Sequence, residues 1–394
     1  MYDVIMFPFH DYKKWKSEGF RTRDAHLFEH LSKSENIGKI LVVDRPTSLA
    51  ELLLKRKKWN ISEEIVEYKT NSIQLARVGE NQWCLDTFVP DFFKVVKQKK
   101  AWWFTSFNYQ FVIDAINYAE EYLGLENTIL LLQNPMAIGV SKSIKSDYFV
   151  FDAIDNWLYH PQMPDKSLIA KNYSYVDKNA DLILTVSKSL KEIFNTNRNV
   201  YWVPNGVDID FFSGAIKDNY AENKVIGYVG KIQDRVDFDL VEKCLRTYPN
   251  NNFVFLGPIY SQNKKIEQLK RTYDNIVFKG DIHYNDLAVN MKEFDIAIIP
   301  HKVDEFTNSM NPLKIYEYLA SGKPIVSTCV AGSDSLSPFI FSARSSNDFV
   351  KKLGYLINNQ NEYNPSDVIS SISSECSWES RTSEILKLIK NIKK

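Results

Sequence analysis

Short apolar runs alternate with longer amphipathic segments along most of the 394-residue chain. DVIMF (3–7), KILVVD (39–44), TILLLQ (128–133), DYFVFD (147–152) and DLILTV (181–186) are nearly continuous in apolar residues, which predicts strands buried on both faces. RDAHLFEHLSK (23–33) and FVIDAINYAEEYL (111–123) carry helical spacing between them. The alternation breaks at 61–90, where IVEY, IQLARV and WCLDTFV predict an inserted β-ribbon or a local meander. After VPNG (203–206) and a polar loop through 223 it resumes. KVIGYVG (224–230), NFVFLG (252–257), NIVF (275–278), DIAIIP (295–300) and PIVST (324–328) then read as strands with helices between them. This is the pattern of α/β parallel sheets covered by helices, and the break predicts two doubly wound domains, 1–203 and 204–376. Ligands of such domains gather outside the carboxyl ends of the strands, so a cleft between the two is the expected site.

Composition narrows the classes. Lys+Arg and Asp+Glu both number 49, so nothing in the overall charge favours a nucleic-acid partner. Cys84, Cys244, Cys329 and Cys376 are scattered, which argues against a zinc site or a disulfide framework and suits a reducing, cytoplasmic setting. No run approaches the roughly 20 apolar residues of a membrane span. Two stretches, LLLKRKKWN (52–60) and KVVKQKKAWWFTSF (94–107), join cationic runs to tryptophan. Lysines drawn to anionic lipid, with indoles at headgroup depth, would give contact with an anionic membrane surface. The alternative is a solvated basic face with the tryptophans turned inward.

Candidate chemistry lies at the strand ends. In GYVGKIQDR, Gly230 would let backbone approach a ligand, with Lys231 and Arg235 supplying cations; a tight turn with a solvated lysine is the plainer reading. Neither GxGxxG nor GxxxxGK[ST] is present, so a nicotinamide oxidoreductase is poorly supported. In VPNGVDIDFF, Asn205 or Gly206 is expected at positive φ, and Asp208 with Asp210 forms an Asp-x-Asp repeated at Asp237 and Asp239. Such pairs can hold a divalent cation, but two are unsurprising in this chain. NPLKIYEYLASGKPIVST (311–328) begins with Asn311 as a cap and Pro312 in the first turn of a helix over 312–321. Leu313, Tyr316, Leu319 and Ala320 would face a core, and Gly322 would end the helix. The helix start with Lys314 is a ready anion site, and Glu317 one turn on could accept hydrogen bonds from sugar hydroxyls. The plainer reading of Glu317 is an exposed glutamate beside a lysine. His10, Asp152 and Asp155 follow strands of the first series and could accept a proton, His10 otherwise being a packing residue and Asp155 a cap or turn.

Taken together, VPNGVDIDFF, GYVGKI, FVFLGP, PLKIYEYLASGKPIVST and SWESRTSEILKLI resemble the GT-B-fold glycosyltransferases, nearest to retaining family 4 and its teichuronic-acid and capsule-biosynthesis-like branch. The resemblance is specific over 200–394 and weaker before it, where FRTRDAHLFEHL and FVFDAIDNWLYH carry it. It implies two Rossmann-like domains facing a central cleft, a last helix within 377–394 crossing back, and transfer of a sugar from a nucleotide donor, UDP first among candidates. The acceptor would be a glycan or lipid-linked molecule of cell-surface polysaccharide synthesis. Glu317 would bind the donor ribose, Lys231 and Arg235 would face the diphosphate, and Gly280-Asp281-Ile282-His283 would lie near the base. Gly230, Asn311, Pro312, Leu313 and Lys314 complete the expected donor-binding set. Members of that family often carry a second glutamate eight residues before the ribose-binding one; here that place is Ser309. No metal cofactor is expected. Ser309 also motivates an alternative, a non-catalytic GT-B partner that stabilises an active transferase.

Overall fold

The computed structural model describes the chain except for residues 56–57, 63, 162, 164, 198, 218–221, 261–263, 332–335, 373 and 393–394. The chain divides into two compact units, Met1–Val203 with Thr382–Lys394, and Pro204–Arg381. The helix Trp378–Lys390 therefore starts in the second and ends in the first.

In the first unit, Tyr2–Phe7 lies in the middle of one large sheet. Ile37–Val43 and Gln82–Val89 follow on one side; Thr128–Leu132, Tyr148–Ala153, Leu182–Thr185 and Val200–Trp202 follow on the other. All of these pair in parallel. The change of direction beside Tyr2–Phe7 is the kind of switch point at which parallel sheets open to ligands. Of the two expectations for 61–90, the structure has the local meander rather than a separate ribbon. Ile73–Arg77 and Ile65–Lys69 continue the sheet from Gln82–Val89 as an antiparallel edge. Across it, Arg23 reaches from the Arg23–Ser32 helix to a fully buried Asp152, Nε to Oδ2 at 2.9 Å and Nη2 to Oδ1 at 3.0 Å, and Gln133 donates to Oδ2 at 2.8 Å. Asp152 is thereby tied into the interior rather than left at a strand end. A buried carboxylate needs this compensation, because an unpaired charge would cost several kcal/mol.

The second unit has six parallel strands: Ile276–Gly280, Asn252–Leu256, Val225–Val229, Ile296–Ile299, Ile325–Thr328 and Ile340–Ala343, in that spatial order. Counted along the chain this is 3-2-1-4-5-6, the doubly wound order whose switch point lies between the first and fourth strands. Alternation along Val225–Val229 sends Ile226 and Tyr228 into one hydrophobic cluster and Val229 into the other, so both faces of the sheet are covered. The edge strands Val200–Trp202 and Ile340–Ala343 carry too few buried apolar residues to stand out in the sequence.

Candidate functional site

The switch point of the second sheet is where the predicted residues collect. Val225–Val229 and Ile296–Ile299 pair only at Ile226/Ile296 and Gly227/Ala297, then separate. Two residues past the last paired position, the Val229 amide donates to the Tyr318 hydroxyl at 2.6 Å. Buried amides are rarely left unmatched, so the gap between the strands is closed by a side chain of the helix Leu313–Ala320. That helix ends as predicted, Gly322 N–H donating to Leu319 O and Lys323 N–H to Tyr318 O. Its start differs from the prediction. Pro312 occupies the cap position and no side chain caps the first turn. Asn311 instead accepts the Asn205 amide at 2.7 Å and pairs with the Tyr316 hydroxyl at 3.1 Å, while Asn205 Nδ2 donates to the Asn311 carbonyl. The clasp binds the 203–206 turn to the helix start, and neither Asn205 nor Gly206 is at positive φ.

Gly230 follows at φ +126° and Gly257, after the neighbouring strand, at φ +139°. A Cβ on Gly257 would stand 2.1 Å from the Gly230 carbonyl oxygen, and one on Gly230 would stand 2.8 Å from Lys314 Nζ. Backbone and ammonium meet there with no room for another side chain. Lys314 Nζ lies 4.0 Å from the centroid of the Tyr228 ring, a favourable cation–π position. Tyr228 in turn holds His301 Nε2 at 3.2 Å, and His301 Nδ1 has no partner among the described residues. Burial, then the Arg235 guanidinium, push the Lys314 amine well below its ordinary pKa, with Glu317 pulling the other way. Burial, then Lys314 and Arg235, keep the His301 imidazole well below its usual value and hence neutral at pH 7. Two cations, Lys314 and Arg235, are thus held near one another beside a helix start. Such an arrangement favours an anion with several oxygens.

Glu317 is 6% exposed, so it is not the surface glutamate of the plainer reading. Residues Ile315 through Ala320 are all buried, leaving the helix without a solvated face there. Leu313 is half-buried. Lys231 is directed toward Tyr260, its Nζ 5.9 Å from that ring, whereas Arg235 stands over Phe306 with Nη1 3.7 Å from the Met310 sulfur. Ser309 donates to the carbonyls of Phe306 at 2.8 Å and Glu305 at 3.1 Å, and is 4% exposed. Ile282 is half-buried and His283 exposed, beyond the edge strand Ile276–Gly280; His283 Nδ1 accepts the Asn285 amide across the following turn. The Asp-x-Asp pairs are helix starts. Asp208 accepts from Phe211 N at 3.0 Å; Asp237 accepts from Asp239 N and Leu240 N; Asp239 pairs with Lys265 at 3.2 Å.

Sequence reasoning missed Tyr228 and His301, which lie in an apolar run and in the loop after one, although a tyrosine at a strand end is a visible signal. Tyr318 was expected on the helix beside Glu317, but its hydrogen bond to the Val229 amide was not.

At the first unit's switch point, His10 Nδ1 lies 3.3 Å from Asp24 Oδ2, and its backbone amide donates to the same oxygen at 2.9 Å. Burial would raise the Asp24 pKa, but the His10 ring and hydrogen bonds from His10 hold it down to about 2. Asp155 accepts from Asn156 N at 3.1 Å, and its carbonyl accepts from the Tyr173 hydroxyl. Phe9 against Trp157, centroids 4.2 Å apart, brings the His10 and Asp155 loops together. Among the described residues, Asp44, Cys84 and Asp86 have metal-ligand spacing, but the Lys13 ammonium already bonds both carboxylates.

Residues 223–359 match the family described as glycosyl transferases group 1. A Bacillus subtilis (strain 168) protein assigned to teichuronic acid biosynthesis as the glycosyltransferase TuaH is 24% identical over 215 residues, 50% of this chain and 54% of that relative. The match therefore spans about half the relative's length. Among solved structures, sucrose-phosphate synthase from Thermosynechococcus elongatus aligns with a TM-score of 0.70 at 14% identity, covering 99% of this chain and 98% of that one. Anabaena HepE in complex with UDP and glucose aligns at 0.66 and 12% identity, covering 99% and 100%. The fold is that of the GT-B glycosyltransferases, and the stretch that matches the group 1 glycosyl transferases lies within the second unit.

The Asp24 pair gives an acid-range prediction. A depressed carboxylate stabilises the fold above its unfolded pKa of about 3.9 and loses that contribution as pH falls toward 2. Asp24→Asn should cost about 2 kcal/mol at pH 5, and the difference from the wild type should shrink to nothing near pH 2. Urea titrations at stepped pH measure it; a pH-independent difference would remove the ionic explanation.

Proposed function

We propose that the chain is a glycosyltransferase that moves a sugar from a nucleoside-diphosphate donor, UDP first among candidates, to a glycan or lipid-linked acceptor of cell-surface polysaccharide synthesis. The observation that carries it is Lys314 Nζ packed against Gly230 at the switch point of the group 1 glycosyl transferase domain. The diphosphate would lie over Gly230, against Lys314, Arg235 and the first-turn amides of Leu313–Ala320. Glu317, one turn or about 5.4 Å further along the helix, would accept the ribose hydroxyls. HepE, solved with UDP, supports the choice of nucleotide, and the teichuronic acid relative supports a polysaccharide role.

Catalysis is then stabilisation of a departing diphosphate by preorganised positive charge. The reading includes retention of configuration, with the departing phosphate taking the acceptor's proton. On the first unit, His10, its ring fixed by Asp24, and Asp155 are the other candidates for that proton. Arg235 and Lys314 take the direct electrostatic part, and Lys231 a peripheral one. We infer too that the chain works at the inner face of the plasma membrane, where a lipid-linked acceptor would lie. Among the described residues no helix is long and apolar enough to cross a membrane. The second reading, a non-catalytic partner, rests on Ser309, whose hydroxyl is turned into its own turn. Release of UDP from a labelled sugar nucleotide separates the two.

Three outcomes are expected. Glu317→Ala should weaken UDP binding by roughly tenfold or more, since a charged hydrogen bond is worth about 1.5–3 kcal/mol, with Glu317→Gln in between. Calorimetry decides; an unchanged dissociation constant in Glu317→Ala would return the residue to a packing role. Because Glu317 is buried, unliganded stability will move as well and does not discriminate.

Lys314→Met should also weaken UDP binding, but raise the melting temperature of the free protein. A lysine whose pKa is depressed by folding costs stability increasingly as pH falls below its unfolded value of about 10.4. The gain should therefore be larger at pH 6 than at pH 9; a uniform loss of stability would contradict this.

Turnover should persist in EDTA, because Lys314, Arg235 and helix amides would already neutralise the leaving group. Loss in EDTA with rescue by manganese or magnesium would reinstate Asp208 and Asp210 as ligands.

A further inference from the structure

We propose that the outward faces of the helices Leu49–Lys55 and Phe93–Gln98 form a docking surface for an anionic lipid bilayer. It rests on the glycosyltransferase reading only for its purpose, since bilayer binding requires no turnover.

The tryptophans named in the sequence do not supply the apolar part. Trp102 is fully buried, in a small cluster with Ala50, Val89 and Val95, and Trp103 is half-buried beneath Arg45. The part of the basic run at 56–57 lies outside the described residues. Other side chains take the tryptophans' place. Phe93 is 85% exposed, Leu54 70%, Leu53 60% and Val96 46%. Isolated apolar residues on a surface are ordinary, but here four lie on two short helices that line one groove. Between the helices runs a groove of about 340 Å³, with Leu54 and Val96 in its walls and Lys55, Lys99 and Lys100 along it.

Charge decides what covers this patch. Lys97, on the second helix, is exposed like the three groove lysines. The carboxylate at the groove, Glu51, is buried and already held by Arg45 at 2.8 Å and by Ser48. Apolar side chains beside the exposed lysines Lys55, Lys97 and Lys99 match the boundary of a bilayer with anionic headgroups, where acyl chains take the apolar groups and phosphates face the lysines. The inner cluster of Ala50, Val95 and Trp102 holds the helices in place, so the exposed residues are not needed for folding. Each basic residue near such a surface contributes about 1 kcal/mol, roughly fivefold in partitioning, so the set gives reversible binding.

The test is sedimentation of the whole protein with vesicles of phosphatidylcholine alone or mixed with phosphatidylglycerol, at low and high salt. Binding to the mixed vesicles only, weakened by salt, is expected. Lys99→Ala and Lys100→Ala should each lower partitioning roughly fivefold, and Phe93→Ser at least tenfold, with UDP affinity by calorimetry unchanged in all three. Equal partitioning to both vesicle types, or full binding by Phe93→Ser, overturns the proposal. So does a dimer in solution that Phe93→Ser disperses, which would make a second copy the occupant. Loss of UDP binding in the wild type would instead count against the transferase reading and leave the vesicle result standing.

Discussion

The hydrogen bond from the Val229 amide to the Tyr318 hydroxyl is the constraint on which the second unit's site depends. Two parallel strands that part at a switch point leave backbone groups without partners, and buried amides must be satisfied. A tyrosine on the following helix meets that need and thereby fixes the helix against the strand end. Its position sets everything one turn earlier. Lys314, four residues before Tyr318, is carried to Gly230 and the Tyr228 ring, and Glu317 is carried inward beside it. Tyr316 secures the other end through Asn311 and Asn205. The two tyrosines that flank Glu317 are therefore struts: one holds the helix to its sheet, the other to the turn that opens the unit.

Close approach is the second requirement. Gly230 and Gly257 at positive φ let two strand-end loops ride over each other at backbone distance, and a side chain at either would move Lys314 or the loop beneath it. A cation held this way loses solvent and stands near Arg235, so its charged state is disfavoured until an anion arrives. On the proposed reading, binding and stability pull in opposite directions at this one residue.

Much of this was legible in the sequence, for physical reasons. Buried parallel strands are nearly continuous in Val, Ile and Leu, so the central strands of both sheets could be read directly. Two of the edge strands could not: Val200–Trp202 has one buried residue and Ile340–Ala343 is mostly half-buried. Local rules misassigned Asn311, because its nearest amides lie in its own helix while its actual partner is 106 residues away. The same limit hid Glu317's burial, since periodicity assigns one buried face and this helix is buried on every face from Ile315 to Ala320. The Asp-x-Asp pairs went the other way: Asp208 and Asp237 act locally, as caps, which is what short polar side chains ahead of a helix ordinarily do. In the first unit a lysine–tryptophan run suggested where a bilayer would touch, but the indole of Trp102 went to the core and Phe93 stayed outside.

Ser309 and Lys314 bear on whether this is a working enzyme or a partner of one, and they point in different directions. Ser309 donates to carbonyls of its own turn and offers nothing charged to a sugar. Lys314 is a desolvated amine pressed against glycine backbone, near a second cation, where a methionine would fill the space without the penalty. A fold that only had to stabilise another protein would gain nothing from that strain on its own stability. An anion bound over Gly230 would reverse it, because the same burial that weakens the free amine strengthens its attraction to phosphate. On the proposed reading the serine removes one contact from the donor site, and the lysine supplies that site's cation beside Gly230.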